Sequence, residues 1–527
     1  MTSNKPSKIF WFLPSIAEVI FIVILAIILS GKGNLLGDAD TGYHIRAGEY
    51  IIDNLKVPHY DIFSHISPPI EWTAHEWLSE VILAFIHRVA GLTGIVAVFA
   101  FLLALVYFIL LRFLRASEIS ILVATSIVIL TVSASTIHWL ARPHIFSLLI
   151  ILFWYIILET YQYKQKNYLY LLLPLMLLWV NLHGGFIAGL ILIGVYITGN
   201  TYMAIFQKNE RQAKFGNIKT LSIYFALCLL VTLINPKGYK ILLFPFGLIS
   251  NAFIMDHVNE FLSPNFHDNL IYEYMLLLMI LVLGVSVMRL NAIEITLVLL
   301  FTHMALYSAR YIPLYAIILS PILAKQVDYL LHELRDRRLV KRFLAMSERT
   351  AITDSMAKSK LWTLTTVIVL AMMVFTKQLS YEFDRKKLPV DAVQFMQKEK
   401  IPGNMFNNDE FGDYIIYAAW PEYRVFFDGR SDMYGKERLK EYFKVMGFEH
   451  GWETVLQKYG IDWIIFNNKS VLSRFLLEKD DWKLIYSDKV ANIFVRRIPA
   501  NQPLIDKYPD VKPVIVEDEE KEKEGKE

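Results

Sequence analysis

An all-α polytopic membrane domain of about eleven transmembrane helices, carrying a C-terminal extracytoplasmic α/β domain, is predicted by three observations. The 527 residues are 55% hydrophobic and 14% aromatic, with a mean hydropathy of +0.39, more than a water-soluble chain carries. Apolar runs recur over residues 1-379, each near the ~20 residues that cross about 30 Å of hydrocarbon as a helix. Beyond Lys377 the composition changes sharply, and short strand-like and helix-like segments alternate. The net charge of +3, small against 53 basic and 50 acidic residues, gives no sign of a nucleic-acid partner. The one cysteine, Cys228, lies in an apolar run, which excludes an intramolecular disulfide and a zinc–thiolate site.

Taken in order, the apolar runs fall near 10-30, 93-112, 119-137, 144-162, 168-182, 185-205, 220-235, 271-288, 291-308, 311-330 and 361-379. The first, from Ile9 to Ser30, is long enough to span and has no clear small-residue cleavage site, so it reads as a helix rather than a signal peptide. Residues 240-255 are apolar but short, and read as re-entrant or interfacial. Lys and Arg concentrate in alternate connections, most strongly from Arg335 to Lys360, which places the N-terminus in the cytoplasm of a cell-membrane protein. The first outer loop, 31-92, is the longest of the membrane region. In it, Ile45, Ala47, Ile51 and Leu55, and then Trp77, Leu78, Val81 and Phe85, give two amphipathic interfacial helices flanking an extended segment from Val57 to His65. Residues 380-500 form the α/β domain, with helices over Asp391–Lys400 and Phe411–Trp420. Its strands are expected at Gly403–Asn407, Arg424–Phe427, Trp463–Phe466, Lys483–Tyr486 and Ile493–Arg496. Residues 501-527 read as a charged tail; from Val516 onward it has too little apolar content to fold.

The most informative stretch is Gly37-Asp38-Ala39-Asp40-Thr41-Gly42-Tyr43-His44, which sets two carboxylates at a membrane edge, where charge is rare unless it has a partner, faces water or does chemistry. With this topology nearly all the histidines fall on or near the outer face, among them His44, His75, His144 and His183. Arg142 and Arg310 sit at outer turns, and Arg is suited to phosphate because it keeps its charge and binds through two parallel hydrogen bonds. Each of these residues also has a plain structural reading. Asp38 reads as a cap or a partner of Arg46, Asp40 as a cap, and Glu76 of His75-Glu76 as a first-turn acid. Arg142 reads as a lipid contact, and the glycines after Asn181-Leu182-His183 as a helix end. Residues 251-270 read as a connector, and Asp428 with Arg430 as a turn pair. Two carboxylates and many histidines permit a divalent ion, but no spacing demands one; His75-Glu76 is not a zinc motif, since Ser79 stands where the second His is required.

The opening loop, with Gly37-Asp38-Ala39-Asp40 followed by Val57-Pro58 and Asp61, resembles that of the GT-C-type integral-membrane glycosyltransferases, in particular the protein O-mannosyltransferase and aminoarabinose transferase branch. Tyr307-Ser308-Ala309-Arg310-Tyr311-Ile312-Pro313, followed by Ser320-Pro321, resembles the Arg-Tyr-x-x-Pro element of a late helix in these enzymes. The resemblance implies transfer of a sugar from a polyprenyl-phosphate carrier to a glycan, lipid or protein acceptor outside the cytoplasm. Asp38, then Asp40, would be the base, because the family's base is usually the first acid of this loop; here Ala39 separates the two acids, which leaves the choice open. Arg310, Arg142, Tyr311, His44, His75, Glu76, His144 and His183 would bind donor phosphate or substrate, in contact with membrane lipids. Other classes compatible with the sequence are a transporter or flippase of lipid-linked glycans, a polymerase, and a noncatalytic membrane scaffold. A transporter should show mid-span charges and internal repeats, and both are scarce here. The topology makes a direct prediction: a cysteine introduced at Ala500 should react with a membrane-impermeant thiol reagent added outside intact cells, and protection until lysis would reverse the orientation.

Overall fold

The computed structural model describes residues 12–32, 35–206, 211–257, 259–268, 270–357 and 361–515. They divide into two compact units, Met1–Leu35 with Val89–Tyr381 and Leu36–Arg88 with Glu382–Glu527.

In the first unit each of the eleven expected runs coincides with a helix. Six helices are long and apolar enough to cross a membrane: Trp77–Ala116, Ile121–His138, His144–Lys164, Gly184–Phe206, Arg211–Val231 and Ala309–Glu333. Arg338–Met356 with Leu361–Phe375 makes a seventh if the pair is one span, and Ile16–Gly31, Leu169–Leu182, Ile271–Val285 and Ala292–Tyr307 are shorter. The count by length is therefore six or seven among the described residues, rather than eleven. The shorter helices have sharp local ends. Asn291 caps Ala292–Tyr307 in a reciprocal capping box with Glu294, and that glutamate also takes the Lys325 ammonium at 2.8 Å, which accounts for a charge near the end of an apolar run. The expected 240-255 segment is broken in two, Lys240–Ser250 with Pro245 inside it and Ala252–His257 after it. Gly91, at φ 62°, separates the amphipathic start of the Trp77–Ala116 helix from its apolar remainder.

The second unit joins the first outer loop to the C-terminal segment. The helix Asp40–Asn54 buries Ile45, Ala47 and Ile51 of the expected apolar face, whereas Leu55, expected on the same face, ends the helix and is exposed. It packs on the helix Asp409–Ala419, where a side chain at Gly42 would meet the Tyr417 Cβ at 2.8 Å. The sheet comprises β1 (Asn404–Asn407), β2 (Ile461–Asn467), β3 (Trp482–Ser487) and β4 (Ala491–Arg496) in the order β1-β2-β4-β3. β1 runs parallel to β2, and the other pairs are antiparallel. Arg424–Phe427 is not a strand: Val425 makes only an isolated bridge to Ser64. The Asn407 side chain replaces a ladder there, accepting from the Phe426 amide at 2.8 Å and donating to the Phe427 carbonyl at 2.7 Å. After the turn at Asp428–Arg430 the chain enters the helix Ser431–Met446, interrupted at Gly435. Residues 501–515 are likewise folded rather than tail: Gln502–Lys507 is helical with Leu504 and Ile505 buried, and Val514 bonds to Ser487 and Asn468. The rest of the expected tail lies outside the described residues.

One buried ion triad ties the two segments of this unit together. Arg430 Nη2 lies 2.6 Å from Asp428 and 2.8 Å from Asp61, with all three side chains at most 1% exposed. Trp72 stacks against the guanidinium at 4.4 Å, and Tyr434 donates to Asp428 at 2.8 Å. Burial alone would raise the Asp61 carboxyl. The Arg430 charge and hydrogen bonds from Ser64 and Phe63 outweigh that and hold it below the usual carboxylate range. Removing one member strands the others without water. Arg430→Ala should therefore cost about 3–5 kcal/mol in unfolding experiments on the purified chain, and a loss under about 1 kcal/mol would contradict the assignment.

Candidate active site

The second unit collects the acids of the opening loop. Asp38 Oδ1 accepts from the Asp40 amide at 3.2 Å, turning the chain into the helix Asp40–Asn54. Arg46 is held by Glu49 at 2.6 Å and by the Tyr417 carbonyl at 2.7 Å. Asp40 hydrogen-bonds Asp413 on the neighbouring helix, and two carboxyl groups can do so only by sharing a proton. Both converge on Gly429, where a Cβ would lie 2.7 Å from Asp40 Oδ1 and 2.9 Å from Asp413 Oδ2, so only glycine fits. The Gly429 amide donates to both Asp413 oxygens at 3.1 Å. Burial first, then the Asp40 and Asp428 charges, push the Asp413 carboxyl well above the usual range.

The other predicted residues of this unit join the same cluster. His44 lies 3.5 Å from Glu80 and 3.9 Å from Glu76, and His75 lies 3.9 Å from Glu76. Tyr43 is kept neutral by burial and by the carboxylates of Asp40, Glu76, Glu80 and Asp413. Sequence reasoning missed Glu80 and Asp413. Glu80 stands one helical turn after Glu76 and was legible by that spacing; Asp413 reaches Asp40 only through tertiary contact.

The first unit brings together the arginines. Arg142 and Arg310 each face one oxygen of the same carboxylate, Glu260, at 3.4 and 3.7 Å. The Arg310 guanidinium also covers the Phe261 ring at 4.7 Å. The Glu260 backbone is fixed independently, its carbonyl accepting from Ser308 Oγ at 3.0 Å while the Ala309 amide donates to Leu262 at 2.9 Å. Burial alone would raise the Glu260 carboxyl; Arg310, Arg142 and His144 hold it below the usual range. Residues 251-270, expected as a connector, thus supply the acid of the arginine cluster. The His144 ring lies 4.2 Å from that of His138, tilted by 35°, and 6.4 Å from that of His183. His183 meets Ser147 Oγ at 2.7 Å, a contact that requires Gly185, where a Cβ would stand 2.7 Å from His183 Nδ1. Tyr311 closes the turn Ala309–Tyr311, its backbone N–H donating to the Ser308 carbonyl at 3.1 Å.

Among the described residues no group of three or more His, Cys, Asp or Glu side chains is placed to hold a metal ion. A cavity of about 670 Å³ in the first unit, lined by Arg115, His332, Arg335, Lys341 and Glu348, shares no residue with either cluster.

No protein-family model and no curated protein sequence matches the chain. Solved structures do match. The archaeal oligosaccharyltransferase AglB from Archaeoglobus fulgidus, in complex with an inhibitory peptide and a dolichol-phosphate, superposes with a TM-score of 0.54 at 12% identity, over 85% of this chain and 69% of that one. An apo form of the Archaeoglobus fulgidus oligosaccharyltransferase gives 0.53 at 10% identity, over 92% and 75%. ArnT from Cupriavidus metallidurans, bound to undecaprenyl phosphate, gives 0.46 at 11% identity, over 92% and 98%. The two superpositions on the Archaeoglobus fulgidus oligosaccharyltransferase show that the chain shares its fold.

Proposed function

We propose that this chain transfers a sugar from a polyprenyl-phosphate-linked donor to an extracytoplasmic glycan, lipid or protein. The observation that carries the reading is the convergence of Arg142 and Arg310, far apart in sequence, on a single anionic group. Such a pair matches a phosphate, whose oxygens gain charge as the glycosidic bond breaks. The likeness to an oligosaccharyltransferase solved with a dolichol-phosphate supports a lipid-phosphate carrier. The acceptor hydroxyl must lose its proton as the sugar develops oxocarbenium character, which calls for a carboxylate base. Asp40 is a poor base because it shares a proton with Asp413, so the role goes to Asp38. His44, His75 and Glu76, which face one another, are assigned to the acceptor, and His144, His183 and Tyr311 to the donor phosphate.

Purified protein given a panel of polyprenyl-phosphate sugars should release carrier. Asp38→Asn and Arg310→Ala should each lower the rate about 100-fold or more. Asp40→Asn should be milder. A transfer activity untouched by the first two variants would refute the assignment.

The acid pair also predicts a pH dependence. A carboxyl raised on folding binds more protons in the native than in the unfolded state, so its contribution is full below the unfolded value and falls as pH rises through the folded value. Asp413→Asn should flatten the decline of thermal stability above about pH 4. A variant whose stability falls with pH as steeply as that of the parent would show that the pair does not titrate in that range.

A further inference from the structure

We infer that Glu260 is a built-in anion that stands in the place of the donor's phosphate between Arg142 and Arg310, and that donor and Glu260 carboxylate exclude one another. The inference rests on the reading of these arginines as phosphate ligands.

Four observations lead to it. The two Glu260 oxygens divide between the two guanidinium groups, Oε2 to Arg142 and Oε1 to Arg310, as two non-bridging oxygens of a phosphate would. The separations, 3.4 and 3.7 Å, are longer than the roughly 2.7–2.9 Å of a good charge-assisted hydrogen bond, so Glu260 balances the arginines without engaging them fully. The Glu260 and Leu262 carbonyls are pinned to Ser308 and Ala309, so the carboxylate leaves by side-chain rotation and the loop need not open. The Phe261 ring under Arg310 keeps that guanidinium in place when the carboxylate goes.

The physical reason for such a device is the cost of an empty site. Arg142 and Arg310 are 17% and 22% exposed, and two half-buried cations facing one another repel. Glu260 offsets that repulsion while the donor is absent. After transfer it competes with the spent carrier, whose phosphate monoester carries more charge than the donor's diester and would otherwise leave slowly. Donor affinity is thereby traded for turnover.

The test is equilibrium binding of a short-chain polyprenyl phosphate to the purified full-length protein. Glu260→Gln and Glu260→Ala should each bind about tenfold more tightly than wild type, about 1.4 kcal/mol, and release the lipid more slowly. Adding Arg310→Ala to either variant should abolish the gain. If wild type binds and both variants bind equally or more weakly, Glu260 is a structural partner of the arginines and the inference fails while the phosphate reading stands. A gain that survives Arg310→Ala also overturns it. If neither wild type nor variants bind the lipid, the phosphate reading itself is wrong, and the inference goes with it.

Discussion

The Arg430 guanidinium, enclosed by Asp61 and Asp428 and shielded by Trp72, is the contact on which the second unit depends. A buried charge is tolerable only when partnered, and here the partners come from opposite ends of the chain: Asp61 from the first loop, Asp428 from the C-terminal domain. The residue between Asp428 and Arg430 is Gly429, on which the Asp40 and Asp413 carboxyl groups converge. The triad thereby fixes the register at which the opening-loop helix meets its neighbour, and so the surroundings of the proposed base. Substitutions in the triad should reach Asp38 and Asp40 through this geometry rather than through direct contact.

The same constraint governs the arginine cluster of the first unit. There the Glu260 carboxylate faces two guanidinium groups, at 3.4 and 3.7 Å. The triad is closed, with short contacts and almost no exposure. The arginine cluster is more exposed, at 17–30%, and its contacts with Glu260 are longer, at 3.4 and 3.7 Å.

Much of the local structure was legible because it follows from short-range chemistry. The apolar runs became helices, the Ile45, Ala47 and Ile51 spacing became a buried face, and Trp463–Phe466 lies within a central strand. The turn pairing of Asp428 with Arg430 was also readable, since the two are neighbours in sequence. The failures have physical causes. Arg424–Phe427 has strand-like composition, but the Asn407 side chain satisfies its backbone in place of a ladder. Of the eleven expected runs, six or seven form helices long enough to cross by length among the described residues, and the others coincide with apolar helices of 10–17 residues. Glu260 and Asp413 were passed over because neither has a local signature: each acquires its role from a partner more than a hundred residues away in sequence. The opening-loop acids drew attention as charges beside apolar sequence, yet nothing local showed that Asp40 would meet Asp413.

The most direct test of the central claim, that Arg142 and Arg310 receive the phosphate of a polyprenyl carrier, is an experimental structure of the full chain in lipid with a polyprenyl phosphate bound. The account predicts phosphate oxygens within about 3 Å of both guanidinium groups. A lipid phosphate resolved elsewhere, with Glu260 still bridging the two arginines, would contradict it.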